Sequence, residues 1–237
     1  MTAKINADSE AAENATTPSI EKDIISVFHI HELHHHVLKS WQTLQADLPQ
    51  VVTLDHHTDI LPAFLRHTEK NPYPVNAGAE LEKDIELLQH DEHFDYAVKY
   101  NFIAGASIIS HTPAVTEIPE KIKVLYNAEI PADEPLNSEL HRSFFDCALE
   151  DEFLSEFENF LPEENYILDI DCDYFKTEKS LTPAKSEIFF ELLRHARMIT
   201  ISREADWVRL LTFEEPSIFN PEYIIAKLNE MYEYCKF

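Results

Sequence analysis

Apolar residues in this chain fall into two rhythms: short unbroken runs, and longer stretches in which they recur every three or four positions. Residues 24–30 (IISVFHI) are β-branched and apolar, and predict a buried strand. Residues 32–48 follow with Leu33, Val37, Leu38, Trp41 and Leu44 near helical spacing, and Pro49 stops that helix. Residues 50–54 (QVVTL) predict a second strand, ending at Asp55. Residues 77–110 read as mainly helical, with a short acidic, histidine-containing break at 89–95. Residues 121–128 (KIKVLYNA) predict a third strand, 166–170 (YILDI) a fourth that runs into Asp171, and 198–201 (MITI) a fifth. Helices are predicted over 138–161, 182–195, 205–211 and 221–234.

Strands that alternate with helices predict an α/β fold with three α-β-α layers and a mostly parallel sheet. In such sheets ligands bind outside the carboxyl ends of the strands. Residues 1–20 are small and polar, and read as a disordered tail ahead of one folded domain over 21–237.

Composition narrows the chemistry. The 237 residues carry 44 acidic and 19 basic side chains, for a formal net charge of -25. Such a surface repels phosphate backbones and anionic lipid, so neither nucleic acid nor membrane is expected as a partner. It attracts metal ions and basic peptides. Only Gly78 and Gly105 are glycine, which excludes the glycine-rich phosphate loops of nucleotide-binding enzymes. Cys147, Cys172 and Cys235 are far apart and form no C-x-x-C pair, so neither a disulfide framework nor a thiolate zinc site is expected, and a reducing cytoplasm fits. Cys172 reads as core packing. There is no apolar stretch of about 18 residues to span a membrane, and the N-terminus lacks the pattern of a signal peptide.

Three predicted strands run directly into His or Asp residues: 28–36 (FHIHELHHH), 51–59 (VVTLDHHTD) and 166–173 (YILDIDCD). Side chains alternate along a strand, so Asp55 and His57 face one side, Asp59 follows if the path stays extended, and Asp169 and Asp171 share a side. Carboxylates converging at a buried strand end repel strongly unless a cation compensates them. No Lys or Arg lies nearby in sequence before Arg66 and Lys176, so metal ions are the economical answer. Four carboxylates (Asp55, Asp59, Asp169, Asp171) and two imidazoles (His57 and one from the first strand) suit two ions better than one. An oxygen-rich set with imidazole and no sulfur suits Mn²⁺.

These motifs resemble the ureohydrolase (arginase) superfamily, which carries a His after one strand, D-x-H-x-D after the next and D-x-D after a later one. Asp55, His57 and Asp59 match the second motif, and Asp169 and Asp171 the third. The stretch 32–38 (ELHHHVL) is similar to a divergent branch reading E-x-H-x-x-x-L; this selects His34, with His31 as the alternative. That branch includes the peptide arginases, which convert Arg residues within ribosomally made precursor peptides into ornithine. The resemblance covers roughly residues 24–210. It implies an arginase/deacetylase-like fold and two Mn²⁺ ions per chain, and hydrolysis of a peptide Arg to ornithine and urea by a hydroxide that the ions share. Asp59 would accept a proton, Glu204 pair with the guanidinium, and Asn101 face the pocket. His111 and His93 are the candidates for general acid. The glycine and α-carboxylate-binding loops of conventional arginases have no counterpart here, as a peptide substrate would require. Alternatives are a ureohydrolase of free arginine or a small guanidino compound, and a non-catalytic acidic module for basic peptides. Deacetylases of the same fold hold one zinc and lack the full set of motifs.

Overall fold

The computed structural model describes residues 28–126, 138–162 and 165–235. Six strands form one sheet: β1 (Phe28–His31), β2 (Gln50–Asp55), β3 (Gly105–Ser110), β4 (Ile122–Tyr126), β5 (Tyr166–Asp171) and β6 (Met198–Ser202). Their order is β1-β6-β5-β2-β3-β4, and every pairing is parallel. The helices are α1 (Leu38–Trp41), α2 (Leu65–Thr68), α3 (Leu81–Ile85), α4 (His93–Lys99), α5 (Glu139–Asp146), α6 (Asp151–Leu154), α7 (Glu187–His195), α8 (Ala205–Leu211) and α9 (Pro221–Cys235).

Alternation along the strands divides the core between the two faces of the sheet. Val52, Leu54, Leu168, Ile170, Ile199 and Ile201 pack into one apolar cluster, with Phe189 of α7 and Leu228 of α9. Val51, Ile108 and Ile167 pack into the other, with Trp41 of α1 and Phe94 of α4. This is the expected three-layer α/β fold. Among the described residues no helix is long and apolar enough to cross a membrane.

The sheet topology locates a crevice. The chain leaves β2 toward β3 on one side, and leaves β5 toward β6 on the other. Adjacent strands whose connections diverge make the opening in which open parallel sheets bind ligands. Asp55 ends β2 and Asp171 ends β5, so both stand at this opening.

Several elements differ from the sequence reading. Residues 105–110 (GASIIS) form β3, not helix, and every residue of it is buried. A short strand covered on both faces shows no alternation and so cannot be told from helix by periodicity. The expected break at 89–95 ends early, because α4 starts at His93. The helix expected over 32–48 is a chain of short turns, 3₁₀ at His34–Val37 and Gln42–Asp47 around α1. The segment 138–161 holds two helices and a 3₁₀ turn. Helix α7 begins only at Glu187, after a 3₁₀ turn at Lys179–Leu181. The tail at 1–20, the start of the first strand (24–27) and residues 127–128 of the third lie outside the described residues.

Candidate metal centre

Strand alternation stacks the residues of β5, β2 and β6 in rows on the face that carries Val51. Register places Val51 beside Ile167, and Ile167 beside Met198. The next row is Thr53, Asp169 and Thr200, all fully buried. One step further, at the carboxyl edge, stand Asp55, Asp171 and Ser202. The sheet thus passes from apolar to hydroxyl-lined to acidic over four residues.

Loops beyond the strands complete the cluster. After β2, Asp55 Oδ1 accepts from His57 N at 2.8 Å, which tightens the turn and sends the chain back over the strand end. Asp59 follows with φ 49°, a left-handed conformation that Asp tolerates better than most residues. This turn, not a continued extended path, brings its carboxylate inward. After β5, Asp171 Oδ1 accepts from Asp173 N at 3.3 Å, opening a 3₁₀ turn that buries Asp173 against the 56–57 segment. Asp173 Oδ1 accepts from His56 N at 3.3 Å, and its Oδ2 lies 3.2 Å from His57 Nδ1. After β1, His34 enters at the start of the first 3₁₀ turn and is fully buried.

His34 Nδ1 lies 2.9 Å from Asp59 Oδ2, 3.2 Å from Asp171 Oδ2 and 3.5 Å from Asp55 Oδ2. Its Nε2 points the other way, 2.7 Å from Asp169 Oδ2. Two neighbouring groups could each hold a metal ion: His34, Asp55 and Asp171, and Asp55, His57 and Asp173. Asp55 belongs to both. A third, His34, Asp59 and His93, overlaps the first. Asp55 Oδ2 and Asp59 Oδ1 are buried without a hydrogen bond among the described residues, whereas Asp173 Oδ2 faces the His57 ring at 3.2 Å. Uncompensated buried carboxylate oxygens are costly, so this donor set fits divalent cations.

The electrostatics agree. Burial, reinforced by Asp59 and Asp173, pushes the Asp55 carboxyl well above its usual range. Burial, then Asp173, pushes Asp171 up to about 8. Burial alone would lower His34, but Asp169 and Asp171 raise it well above an ordinary histidine. His57 is raised likewise against its burial, by Asp173. Without metal, the cluster holds protons where cations would sit.

The structure places four residues of the sequence reading, Asp169, Asn101, His111 and His31, outside the ligand groups, and adds Asp173 to them. The pair at the cluster is Asp171 and Asp173, one step later than the expected Asp169 and Asp171. Asp169 sits a row below, its oxygens engaged by Thr53, Thr200 and His34 Nε2. Asp173 was missed because 169–171 and 171–173 have the same D-x-D spacing. Asn101 is exposed at the opposite edge of the sheet, where its left-handed backbone (φ 56°) ends α4 ahead of β3. His111 stacks on Tyr174 with centroids 4.2 Å apart, Nε2–H donating to the Tyr174 carbonyl, and belongs to none of the ligand groups. His31 meets Ser40 Oγ at 2.9 Å and is likewise outside them. His34, Asp55, His57, Asp59 and Asp171 come together as read.

Glu204 is buried at the start of α8 in a left-handed conformation (φ 38°), and its Oε1 accepts from His34 N at 2.7 Å. Burial raises its pKa, with the His34 hydrogen bond opposing. One turn on, Trp207 lies 5.2 Å from the His57 ring and 5.9 Å from His90. These rings, with Asp59, Arg66 and Asp91, line a cavity of ≈ 300 Å³ beside the cluster. Trp207 and His90 are additions to the sequence reading; nothing in their spacing marks them. His93 is buried next to the His34 ring, 4.3 Å between centroids, and its Nδ1–H donates to the His90 carbonyl. Lys176 is buried over the Phe145 ring, with no hydrogen-bond partner for Nζ among the described residues.

No family model matches this sequence, and no curated protein matches it either.

Proposed function

We propose that this chain is a binuclear-metal hydrolase that converts arginine residues within a peptide into ornithine and urea. The observation that carries the reading is the sharing of Asp55 between two adjacent ligand groups, beside a cavity walled by Trp207 and Asp59. His34, Asp55, Asp59 and Asp171 would hold one cation, and Asp55, His57, Asp171 and Asp173 the other; oxygen-rich ligands with one imidazole each favour Mn²⁺. When bound, the pair supplies an acidified water and polarises the carbon under attack.

The remaining roles belong to the side chains. Glu204, buried one turn before Trp207 with its Oε1 held by the His34 amide, would pair with the guanidinium through Oε2. Trp207 stacks on its planar face. Asp59 Oδ1, buried and without a hydrogen bond among the described residues, accepts the proton that water gives up. His93 donates through Nδ1 to a carbonyl, so its Nε2 carries the lone pair, and burial keeps the ring neutral. Overall, water adds to the guanidinium carbon Cζ, its bond to Nε of the arginine breaks, urea leaves, and the departing side-chain amine takes up the proton that Asp59 accepted. The Arg66 guanidinium at the cavity is paired with Asp91, so it is committed elsewhere rather than offered to the α-carboxylate of a free amino acid. This favours a peptide over free arginine.

The test is mass spectrometry of an Arg-containing peptide incubated with protein and Mn²⁺, beside free arginine and a urea assay. A loss of about 42 Da per arginine with urea released is expected for guanidine hydrolysis. Reaction of free arginine alone would remove the peptide assignment. Two bound ions with no reaction of either would remove the guanidine assignment.

Trp207→Ala is expected to raise KM for the arginyl peptide about 30-fold, the worth of a desolvated cation–π contact of about 2 kcal/mol, with metal content unchanged. An unchanged KM would show that the guanidinium does not lie against this ring.

A further inference from the structure

Asp169 is too far down the sheet to join the cluster's ligand groups, yet it is the most heavily hydrogen-bonded carboxylate beside it. Thr53 Oγ1 donates to its Oδ2 at 2.9 Å and Thr200 Oγ1 to its Oδ1 at 2.5 Å. His34 Nε2 meets Oδ2 at 2.7 Å. All four residues are fully buried, and sheet register fixes the threonines on either side of Asp169.

The direction of these bonds is set from outside. Trp41 Nε1–H approaches Thr200 Oγ1 at 3.3 Å. An indole nitrogen only donates, so Thr200 accepts there and has its own proton left for Asp169. Asp169 thus accepts from Thr200 at Oδ1 and, independently, from Thr53 at Oδ2. The nitrogen of His34 that faces it must then be a donor. When a cation displaces the proton that the metal-free cluster holds, an imidazole that still donates through Nε2 presents its lone pair at Nδ1, the atom surrounded by Asp55, Asp59 and Asp171.

We propose that Asp169 is a positioning residue: with Thr53, Thr200 and Trp41 it fixes His34 as the Nε2–H tautomer and reserves Nδ1 for a cation. The inference rests on the binuclear reading of the cluster. It assigns Asp169 the outer position of a carboxylate–histidine–metal triad, in which the partner carboxylate orients the ring and makes it a better ligand.

The experiment compares the wild-type chain with Asp169→Asn and Thr200→Val. Mn²⁺ and Zn²⁺ affinities are measured by calorimetry, and the imidazole ¹⁵N signals are recorded with Zn²⁺ bound. Asparagine has nearly the same shape, but its NH₂ group confronts one of the three donors. Asp169→Asn is expected to weaken one of two cations about 10- to 100-fold, the usual effect of losing such a partner. The other, at His57 and Asp173, should keep its affinity. In the wild type, His34 should show a protonated Nε2 and a cation-bound Nδ1. Thr200→Val should act in the same direction and more weakly; it carries the test if Asp169→Asn does not fold by circular dichroism. Wild-type affinity for both cations in these variants, or a His34 protonated at Nδ1 with metal bound, would overturn the proposal. A wild-type chain that binds no cation would overturn it along with the binuclear reading, and that outcome is visible before any variant is made.

Discussion

Asp171→Asn should abolish binding of both cations and lower turnover by about 10³-fold or more, since metal polarisation is worth several kcal/mol. Asp171 lies at the meeting point of the cluster: its Oδ2 is 3.2 Å from His34 Nδ1, and its Oδ1 takes the Asp173 amide that opens the following turn. Asn keeps that shape and can still accept the amide, so the fold should survive. It cannot supply the negative charge that offsets two divalent ions. At neutral pH the metal-free Asp171 is already largely protonated, its pKa pushed to about 8 first by burial and then by Asp173. The metal-free variant should therefore unfold near the wild-type temperature, which separates loss of metal from loss of structure. Asp173→Asn should be milder in metal count, leaving one ion at the His34 side, and equally severe in turnover. Metal analysis after gel filtration, with thermal unfolding in chelator, checks all three statements. Two ions per chain in Asp173→Asn would return the cluster to the pair Asp169 and Asp171, and two ions in Asp171→Asn would remove Asp171 from the cluster altogether.

That distinction shows where the sequence stops being legible. Apolar runs ending in Asp and His marked β1, β2 and β5 and the edge of the sheet where they end, because burial and alternation leave a readable trace. The phase of the acidic ladder left none. Asp169, Asp171 and Asp173 repeat at a spacing of two, and only register against Thr53 and Thr200 shows which of them lies below the opening. Asp173 also leaves the strand, so alternation no longer governs it. Strand β3 was hidden because a strand covered on both faces has no polar period. Asn101 misled for a local reason: it is the left-handed residue at the end of α4, a role Asn fills anywhere in a protein. Trp207 and His90 meet only through the packing of α8 over the 89–92 turn, a long-range contact with no signature in either segment.

Removing metal should invert the pH dependence of stability above about pH 6.5, the ordinary histidine value. In the metal-free chain, Asp171 is raised to about 8 and Asp55 well above its usual range, both mainly by burial. Carboxylates raise His34 and His57 against the burial that would lower them. Above pH 6.5 the unfolded chain has released these four protons while the folded chain keeps them, so stability falls as pH rises toward 8. Below 6.5 the sign reverses. Burial depresses His111 and His35 to about 3 and His31 to about 4, and holds His56 and His93 well below an ordinary histidine. His36 is lowered by burial too, so there the unfolded chain binds six protons that the folded chain refuses, against four kept by Asp55, Asp171, Glu204 and Glu92, whose carboxyls burial raises, and stability rises with pH from about 4 to 6.5. The metal-free protein is therefore expected to be most stable near pH 6.5. Cations compete with the protons on His34, His57, Asp55 and Asp171, so they bind more tightly as pH rises. With Mn²⁺ at 100 times its Kd, each independent site adds about 2.7 kcal/mol, or roughly 5–10 °C in Tm for a chain of this size. Unfolding temperatures from pH 5 to 9, in chelator and in Mn²⁺, should nearly coincide at the acid end and diverge above 6.5, the chelated curve turning down while the other stays high. Coincident curves throughout would mean that His34 is only the cation of a buried ion network, and the hydrolase reading would fall with the metal.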